Sequence, residues 1–334
     1  MLRQPGSDAV MPAMAIPPVV VSAARAGWNW QWQQLMQGLG PADSDGNYRR
    51  PAAAFSALPP LPTNAAEPGS HVLIVGRSCP WAHRAWLVWT LRQLQNSIEL
   101  LVVEPDPEAG RWRFGTPFLG CSTLQELYRR SGATTDQRAT VPVLVERSSG
   151  RVVLGESARL IELLNQWPAP AEAPDLAPAE LSAGIEGWRE LFQGAVNDGV
   201  YRCGFARNQS AYDRAESELF AALEQAEAAL GTSGAGPWLC GNCLTLADVQ
   251  LFPTLIRLEL VYAPLFGVSR RPLWQLPALW HWRQRVFGLP GVADTCCDQA
   301  WRQDYFGALF PLHPSGIVPA GPALATLVQA PPPP

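Results

Sequence analysis

"HVLIVGRSCPWAHRAWLVWTLRQLQNSIELLVVEP", residues 71–105, holds three patterns in succession. "HVLIVG" is a continuous apolar run of the kind that forms a buried strand. "CPWAHRAWLVWTLRQLQN" has helical length and spacing, and "IELLVVEP" is a second, nearly continuous apolar run. Strand, helix, strand reads as a βαβ unit. The turn inside it, "RSCPWAHR" at 77–84, sets Cys79 between the first strand and the helix. That thiol has three readings: a buried small hydrophobe, half of a lost redox pair, or a nucleophile.

Downstream, "TVPVLVER" and "GRVVLGES" read as short strands joined at "SSG" in a hairpin, and "ESARLIELLNQW" is helix-spaced. Residues from about 70 to 167 therefore predict the order β, α, β, long insertion, β, β, α. The proline–alanine stretch "PAPAEAPDLAPAE" at 168–180 supports neither a helix nor a central strand and reads as a linker. Beyond it, "AYDRAESELFAALEQAEAAL", "TLADVQLFPTLIRLELVY" and "PALWHWRQRVFGL" have helical period, so the second domain is expected to be all-α. The division is an extension at 1–66, an α+β domain at 67–167, the linker, a helical domain at 181–312 and a tail at 313–334. The tail ends in "APPPP", which is expected to lack fixed structure. In the extension, "GWNWQWQQLMQGLG" predicts a short amphipathic helix whose tryptophans dock on the body.

The chain has 334 residues, 47% of them hydrophobic, enough for packed cores. A net charge of -4 with no basic cluster gives nucleic acid or an acidic membrane surface nothing to pull on. All 25 cationic side chains are Arg, which excludes lysine Schiff-base and lysine-base chemistry. Seven irregularly spaced Cys in a chain of this length favour free thiols, a reducing compartment and a cytoplasmic location. The apolar patch near the N-terminus is broken by Asp8 and by Pro5, Pro12, Pro17 and Pro18 before membrane-spanning length, so neither membrane insertion nor a signal peptide is expected.

Where a strand gives way to a helix, unpaired N–H groups and the helix dipole favour an anion, so Cys79 is expected to have a stabilised thiolate and a lowered pKa. Pro80 suits a first helical turn. Ala82 stands where the second thiol of a C-x-x-C pair would be, so Cys79 is expected to act alone. A mixed disulfide on it is then released only by a thiol from elsewhere, for which an abundant small thiol is the natural candidate. A packed core Cys is the competing reading.

Pro142 of "TVPVL" could be a cis proline that turns backbone groups outward beside the cysteine. Glu156 and Ser157 open the next helix, where free N–H groups and a hydroxyl hold a carboxylate and Glu156 takes an ammonium. Alone, that pair reads equally as a helix cap without a ligand.

"SCPWAHR", "TVPVL", "GES" before a helix, and a following all-α domain resemble the glutathione transferase superfamily with a cysteine at the active position. "GRWRF", "LQELYRRSGATTDQRATVPVL", "NDGVYRCGFARNQSAYDRA", "LTLADVQLFPTLIRLELVY", "PGVADT" and "HPSGIVPAGP" narrow the likeness to the Xi class, the glutathionyl-hydroquinone reductases, from about residue 71 to 322. The resemblance implies a thioredoxin-like, glutathione-binding N-terminal domain, a helical C-terminal domain and a homodimer. It implies Cys79 as nucleophile, Trp112 packing on glutathione, main-chain hydrogen bonds from Val141 beside Pro142, and the γ-glutamyl end on Glu156 and Ser157. Arg138 matches an arginine near that site, and Tyr201 and Tyr305 line an aromatic pocket. The implied reaction takes glutathione and aromatic hydroquinone conjugates, with no metal or nucleotide, and a pocket donor such as Tyr201 or Tyr305 protonates the released carbon.

This sequence departs from the family pattern at Leu265, Gly267, Gln303 and Asp304, with Phe306 after Tyr305, and in the extension. These changes bear on the acceptor substrate more than on the thiol chemistry. Rival readings are an omega-like thiol transferase or dehydroascorbate reductase, and a carrier of hydrophobic ligands without turnover. "CGNC" (Cys240, Cys243) with Cys296 and Cys297 could suggest zinc, but adjacent cysteines are poor joint ligands. Thr245 to Asp248 instead reads as an N-capping signature with Cys240 and Cys243 in the preceding turn. His83 is read as a packing or helix-surface residue rather than a general base, and Trp274, Trp280 and Trp282 as packing.

Overall fold

β1 (His71–Gly76) is buried at all its positions, which makes it the centre of a six-stranded sheet. A computed structural model describes residues 16–65, 67–106, 109–234, 236–309 and 311–329. β1 pairs in parallel with β2 (Ile98–Asp106), from His71 opposite Ile98 to Gly76 opposite Val103, and α2 (Pro80–Leu91) is the crossover. On its other side β1 meets β5 (Val143–Glu146) antiparallel, and β5 forms the expected hairpin with β6 (Arg151–Leu154). Gly150 closes that turn with φ +62, a conformation open to glycine without steric cost.

The insertion between β2 and β5 is itself sheet. β3 (Arg111–Phe118) and β4 (Cys121–Thr123) extend the order to β4-β3-β2-β1-β5-β6. β3 buries only Phe114 and Phe118, so it carries little of the apolar signal that marks a central strand. α3 (Leu124–Arg130) follows through a capping box in which Thr123 Oγ1 accepts from Glu126 N and Glu126 accepts from Thr123 N. α4 (Ser157–Asn165) packs on α2.

The proline–alanine stretch is pinned at Leu176. Its N–H donates to the Asn165 side chain and its carbonyl accepts from Leu246 N. Past it lie α5 (Ser182–Leu191), α6 (Gly199–Gly204), α7 (Gln209–Gly231), α8 (Leu246–Leu255), α9 (Ala263–Phe266), α10 (Pro277–Phe287), α11 (Asp298–Ala308) and α12 (Leu324–Gln329). Asp248 opens α8 as the sequence predicts. Its buried carboxylate accepts from Thr245 N at 2.9 Å, Leu239 N at 3.1 Å and Trp282 Nε1 at 2.8 Å. The stretch Leu246–Phe266 is apolar and long enough to cross a membrane, yet most of it is buried as the core of the helical domain. The single helix expected there breaks: Leu258–Tyr262 is π-helical, so the side chains after Arg257 leave the register that α8 set.

The extension forms a longer helix than expected, α1 (Pro18–Leu39), and docks differently. Met36 is buried and Trp32 packs on the core, but Trp28 and Trp30 are 47% and 69% exposed, so the tryptophans do not dock as a set. α1 is an apolar helix with one charge, Arg25, and meets the body only through its last turns. Residues 40–65 then run as a strap: Gly46 O accepts from Arg207 N, Phe55 O from Gly155 N, and Ala65 O from Trp167 Nε1. The tail folds back as α12, whose Leu327 and Val328 are buried and whose Leu327 O accepts from Arg283. The first part of the N-terminal apolar patch and the final "APPPP" lie outside the described residues.

Candidate active site

Cys79 is the N-cap of α2, with extended backbone (φ -76, ψ 118) and Pro80 in the first turn. Its Sγ lies 3.4 Å from Val141 O, the carbonyl before the cis Val141–Pro142 bond. The N–H groups of Ala82 and Trp81 point at the sulfur, as a helix start dictates. The expected lowering of the thiol pKa is nonetheless reversed. Burial pushes Cys79 above its ordinary value, and the N–H groups of Ala82 and Trp81, then the charges of Arg257 and Arg50, pull it back only in part. The sequence exposes the helix terminus but not the desolvation beside it. All seven cysteines are free thiols.

Around Cys79 is a cleft of about 190 Å³. One wall carries Trp112, Arg138, Val141, Pro142 and Ser157, and the other comes from the strap, through Tyr48, Arg50 and Pro51 to Ala53. Trp112 sits on β3 opposite Pro105 and lies across Gly76, where a Cβ would come within 2.6 Å of its ring. Arg138 is exposed and donates to the carbonyls of Gly38 and Leu39, which ties its guanidinium to the end of α1. Ser157 is buried and faces the cleft, its Oγ 3.4 Å from Arg84 Nη1. Glu156 takes the capping role: its Oε1 accepts from Ala158 N at 3.2 Å and lies 3.5 Å from Ser157 Oγ.

Tyr201 and Tyr305 do not line this cleft. Tyr201 stacks behind Trp81, with centroids 5.9 Å apart, and its hydroxyl lies 2.5 Å from that of Tyr305. Tyr262, which sequence reading missed, continues the chain at 3.4 Å from Tyr305. The pocket expected from the resemblance is thus a hydrogen-bonded tyrosine chain closed by Phe205 and Phe266. Burial raises all three phenols, so they are protonated at neutral pH.

The strap also escaped the sequence reading. Arg50 lies 3.7 Å from the Trp81 ring centroid and 3.4 Å from Asp198, and Arg84 approaches the same ring at 4.4 Å. "DGNYRRP" has no helical or strand period, and paired arginines before a proline were its one visible signal. His83 is a packing residue, fully buried rather than at the helix surface. Thr295 Oγ1 donates to Val292 O, so it accepts from His83 Nε2 at 2.7 Å, while Nδ1 accepts from Arg257 at 2.9 Å. Both ring nitrogens are committed and the imidazole is neutral, its pKa held well below the ordinary value by burial and by Arg257.

Among the departures, Gly267 takes φ +71 and its carbonyl accepts from Tyr212. Leu265 is half-buried, Gln303 is exposed, and Asp304 reaches Ser78 beside the Cys79 turn. Cys240 and Cys243 face each other across a bridge in the turn before α8. Trp280 and Trp282 are buried, and Trp274 is half-buried against Trp280.

The glutathione S-transferase N-terminal domain model matches residues 78–179 and its C-terminal domain model matches 209–285. The chain is 32% identical to glutathionyl-hydroquinone reductase YqjG of Escherichia coli (strain K12), covering 83% of this chain and 89% of the relative. It is 32% identical to glutathionyl-hydroquinone reductase PcpF of Sphingobium chlorophenolicum, over 77% of this chain and 84% of that one. A relative from Schizosaccharomyces pombe named glutathione S-transferase omega-like 2 is 30% identical, over 84% of this chain and 95% of its own length. Among solved structures, the Xi glutathione S-transferase of Phanerochaete chrysosporium superposes with a TM-score of 0.78 at 31% identity, over 84% of this chain and 94% of that one. The glutathione-bound structure of YqjG gives a TM-score of 0.71 at 32% identity, over 77% and 86%. With a mixed-sheet domain, a helical domain and a lone cysteine at the sheet's central turn, the chain belongs to the glutathione transferase family, in its Xi class.

Proposed function

We propose that the protein reduces glutathionyl-hydroquinones to hydroquinones with glutathione as co-substrate. The observation that carries this reading is the adjacency of a solitary cleft thiol, Cys79, to the chain of protonated tyrosines behind Trp81. The Cys79 thiolate attacks the glutathionyl sulfur and a Cys79–glutathione disulfide forms. The sulfur–carbon bond breaks, its electron pair stays on the aromatic carbon, and that carbon takes a proton relayed through Tyr201 and Tyr305. A second glutathione attacks the mixed disulfide, restoring Cys79 and leaving oxidised glutathione. Trp112, Val141, Pro142 and Ser157 bind the first glutathionyl group, with Arg50 on the facing wall. The reading includes a homodimer and a cytoplasmic, reducing setting, which suits seven free thiols.

The test is single turnover without free glutathione. One equivalent of a glutathionyl-hydroquinone should leave one glutathione on Cys79, read as a mass increase, and release one hydroquinone. Cys79→Ala should abolish both. The omega-like relative supports a second reading, a general thiol transferase. Parallel assays on the conjugate, dehydroascorbate and a simple mixed disulfide separate the two, because the transferase would favour the last two. Ligand binding with no glutathione consumed on any of the three would defeat both readings and point to a carrier.

A further inference from the structure

Arg257 is fully buried, at the junction where α8 gives way to the π-helical turn. Buried cations are ordinarily paired with acids, because taking a charge from water is costly. Arg257 has no ion pair among the described residues. Glu259, two positions on, is taken by Arg283 at 2.6 Å. Arg257 Nη1 donates to Pro253 O at 2.8 Å and to His83 Nδ1 at 2.9 Å, and the guanidinium lies 3.9 Å from the Trp301 ring centroid. Its Nε and Nη2 have no hydrogen-bond partner among the described residues. His83 is on the first turn of α2, and its N–H donates to the carbonyl of Cys79. The cation is therefore held against the turn that carries the thiol.

We propose that Arg257 is a positioning residue for Cys79, a buried cation left without a counter-charge whose field favours negative charge on the sulfur during attack. The proposal rests on Cys79 being the nucleophile. His83 is the spacer: neutral, with Nδ1 as acceptor and Nε2–H fixed by Thr295, it orients the guanidinium without competing for its charge. The groups facing the thiol are the N–H groups of Trp81 and Ala82, the cations Arg257 and Arg50, and the phenols Tyr128, Tyr201 and Tyr262. Those facing Arg257 are His83, Tyr262, Tyr305, Cys296 and Cys297, all neutral at pH 7. The acid that faces Cys296 and Cys297 alongside Arg257, Asp298, is engaged by Arg302 at 3.6 Å, and burial keeps salt from screening the field of Arg257.

The experiment follows iodoacetamide labelling of Cys79, resolved by mass spectrometry, against pH. Arg257→Gln and Arg257→Met remove the charge, Arg257→Lys keeps it, and circular dichroism checks the fold. On the rising limb, the neutral variants should label about tenfold more slowly at fixed pH, and the lysine variant should recover most of the rate. A second arm leaves Arg257 in place: Cys296→Asp sets a carboxylate where Arg257 is the leading charge and should also move labelling to higher pH. A folded neutral variant with the parent's pH profile would overturn the proposal. If both neutral variants fail to fold, an unmoved profile in Cys296→Asp overturns it instead. Labelling needs no substrate, so an Arg257 effect together with an active Cys79→Ala variant would sink the proposed reaction and leave the electrostatic coupling standing.

Discussion

The hydroxyls of Tyr201 and Tyr305 lie 2.5 Å apart across 104 positions of sequence. One donates and the other accepts, and Tyr262 extends the chain, so a proton given up by Tyr201 can be replaced from behind. Tyr201→Phe should lower kcat on glutathionyl-hydroquinones by about 100-fold, the range of general acid catalysis, with little change on a simple mixed disulfide. Only the first substrate leaves a carbon that needs a proton. Equal losses on both would show that the phenol only packs.

Arg50 links the strap to both domains through Trp81 and Asp198. Arg50→Ala should raise KM for the glutathionyl substrate about tenfold, the scale of a lost hydrogen bond to a charged group. It should also move Cys79 labelling to higher pH, because a cation that favours the thiolate is gone. Arg50 is 28% exposed, so the labelling shift should shrink as salt rises, which titration at two ionic strengths would reveal.

Gly76 has no Cβ to spare. A methyl there would lie 2.6 Å from the Trp112 ring, a rigid group with backbone on one side and the cleft on the other. Gly76→Ala should displace the ring, raise KM for glutathione, and cost about 1–3 kcal/mol of stability by overpacking. Steady-state kinetics and a denaturant titration check both. An unchanged KM would mean that Trp112 does not contact the tripeptide.

Burial raises Cys203 and Cys296 to about 12 each, and Tyr128 to about 12 as well. The native state keeps these protons where the unfolded chain, with thiols near 9.0 and phenols near 10.0, releases them. Their stabilising contribution is therefore complete below pH 9 and is lost as pH climbs toward 12. The melting temperature should be flat from neutrality to about pH 8.5 and then fall. Cys203→Ala combined with Cys296→Ala should make that alkaline fall shallower, whatever the variant's Tm at neutral pH.

The βαβ unit was legible because β1, α2 and β2 each announce themselves within one contiguous run. The "TVPVL" and "GES" segments point at the same cleft because each is short and local. β3 was not legible, since a strand that buries only two phenylalanines carries little apolar signal. Nor was the Arg50 wall, whose partner Asp198 is 148 residues away. The direction of the Cys79 shift was misread for a related reason. A helix terminus is written in neighbouring residues, whereas desolvation comes from elements that fold against it. Arg257 was hidden inside an apolar helical pattern that did not reveal its break at Leu258.

The strap has a consequence for biosynthesis. Tyr48 and Arg50 leave the ribosome before any surface they bind exists: Phe55 must wait for Gly155, Arg50 for Asp198, and Gly46 for Arg207. One wall of the cleft is thus made well before the surfaces that hold it. A nascent chain halted between β6 and α6 would have its thiol and the Trp112–Pro142 wall but not the strap anchored opposite them. The cleft is therefore completed only when an earlier-made segment closes over later-made ones.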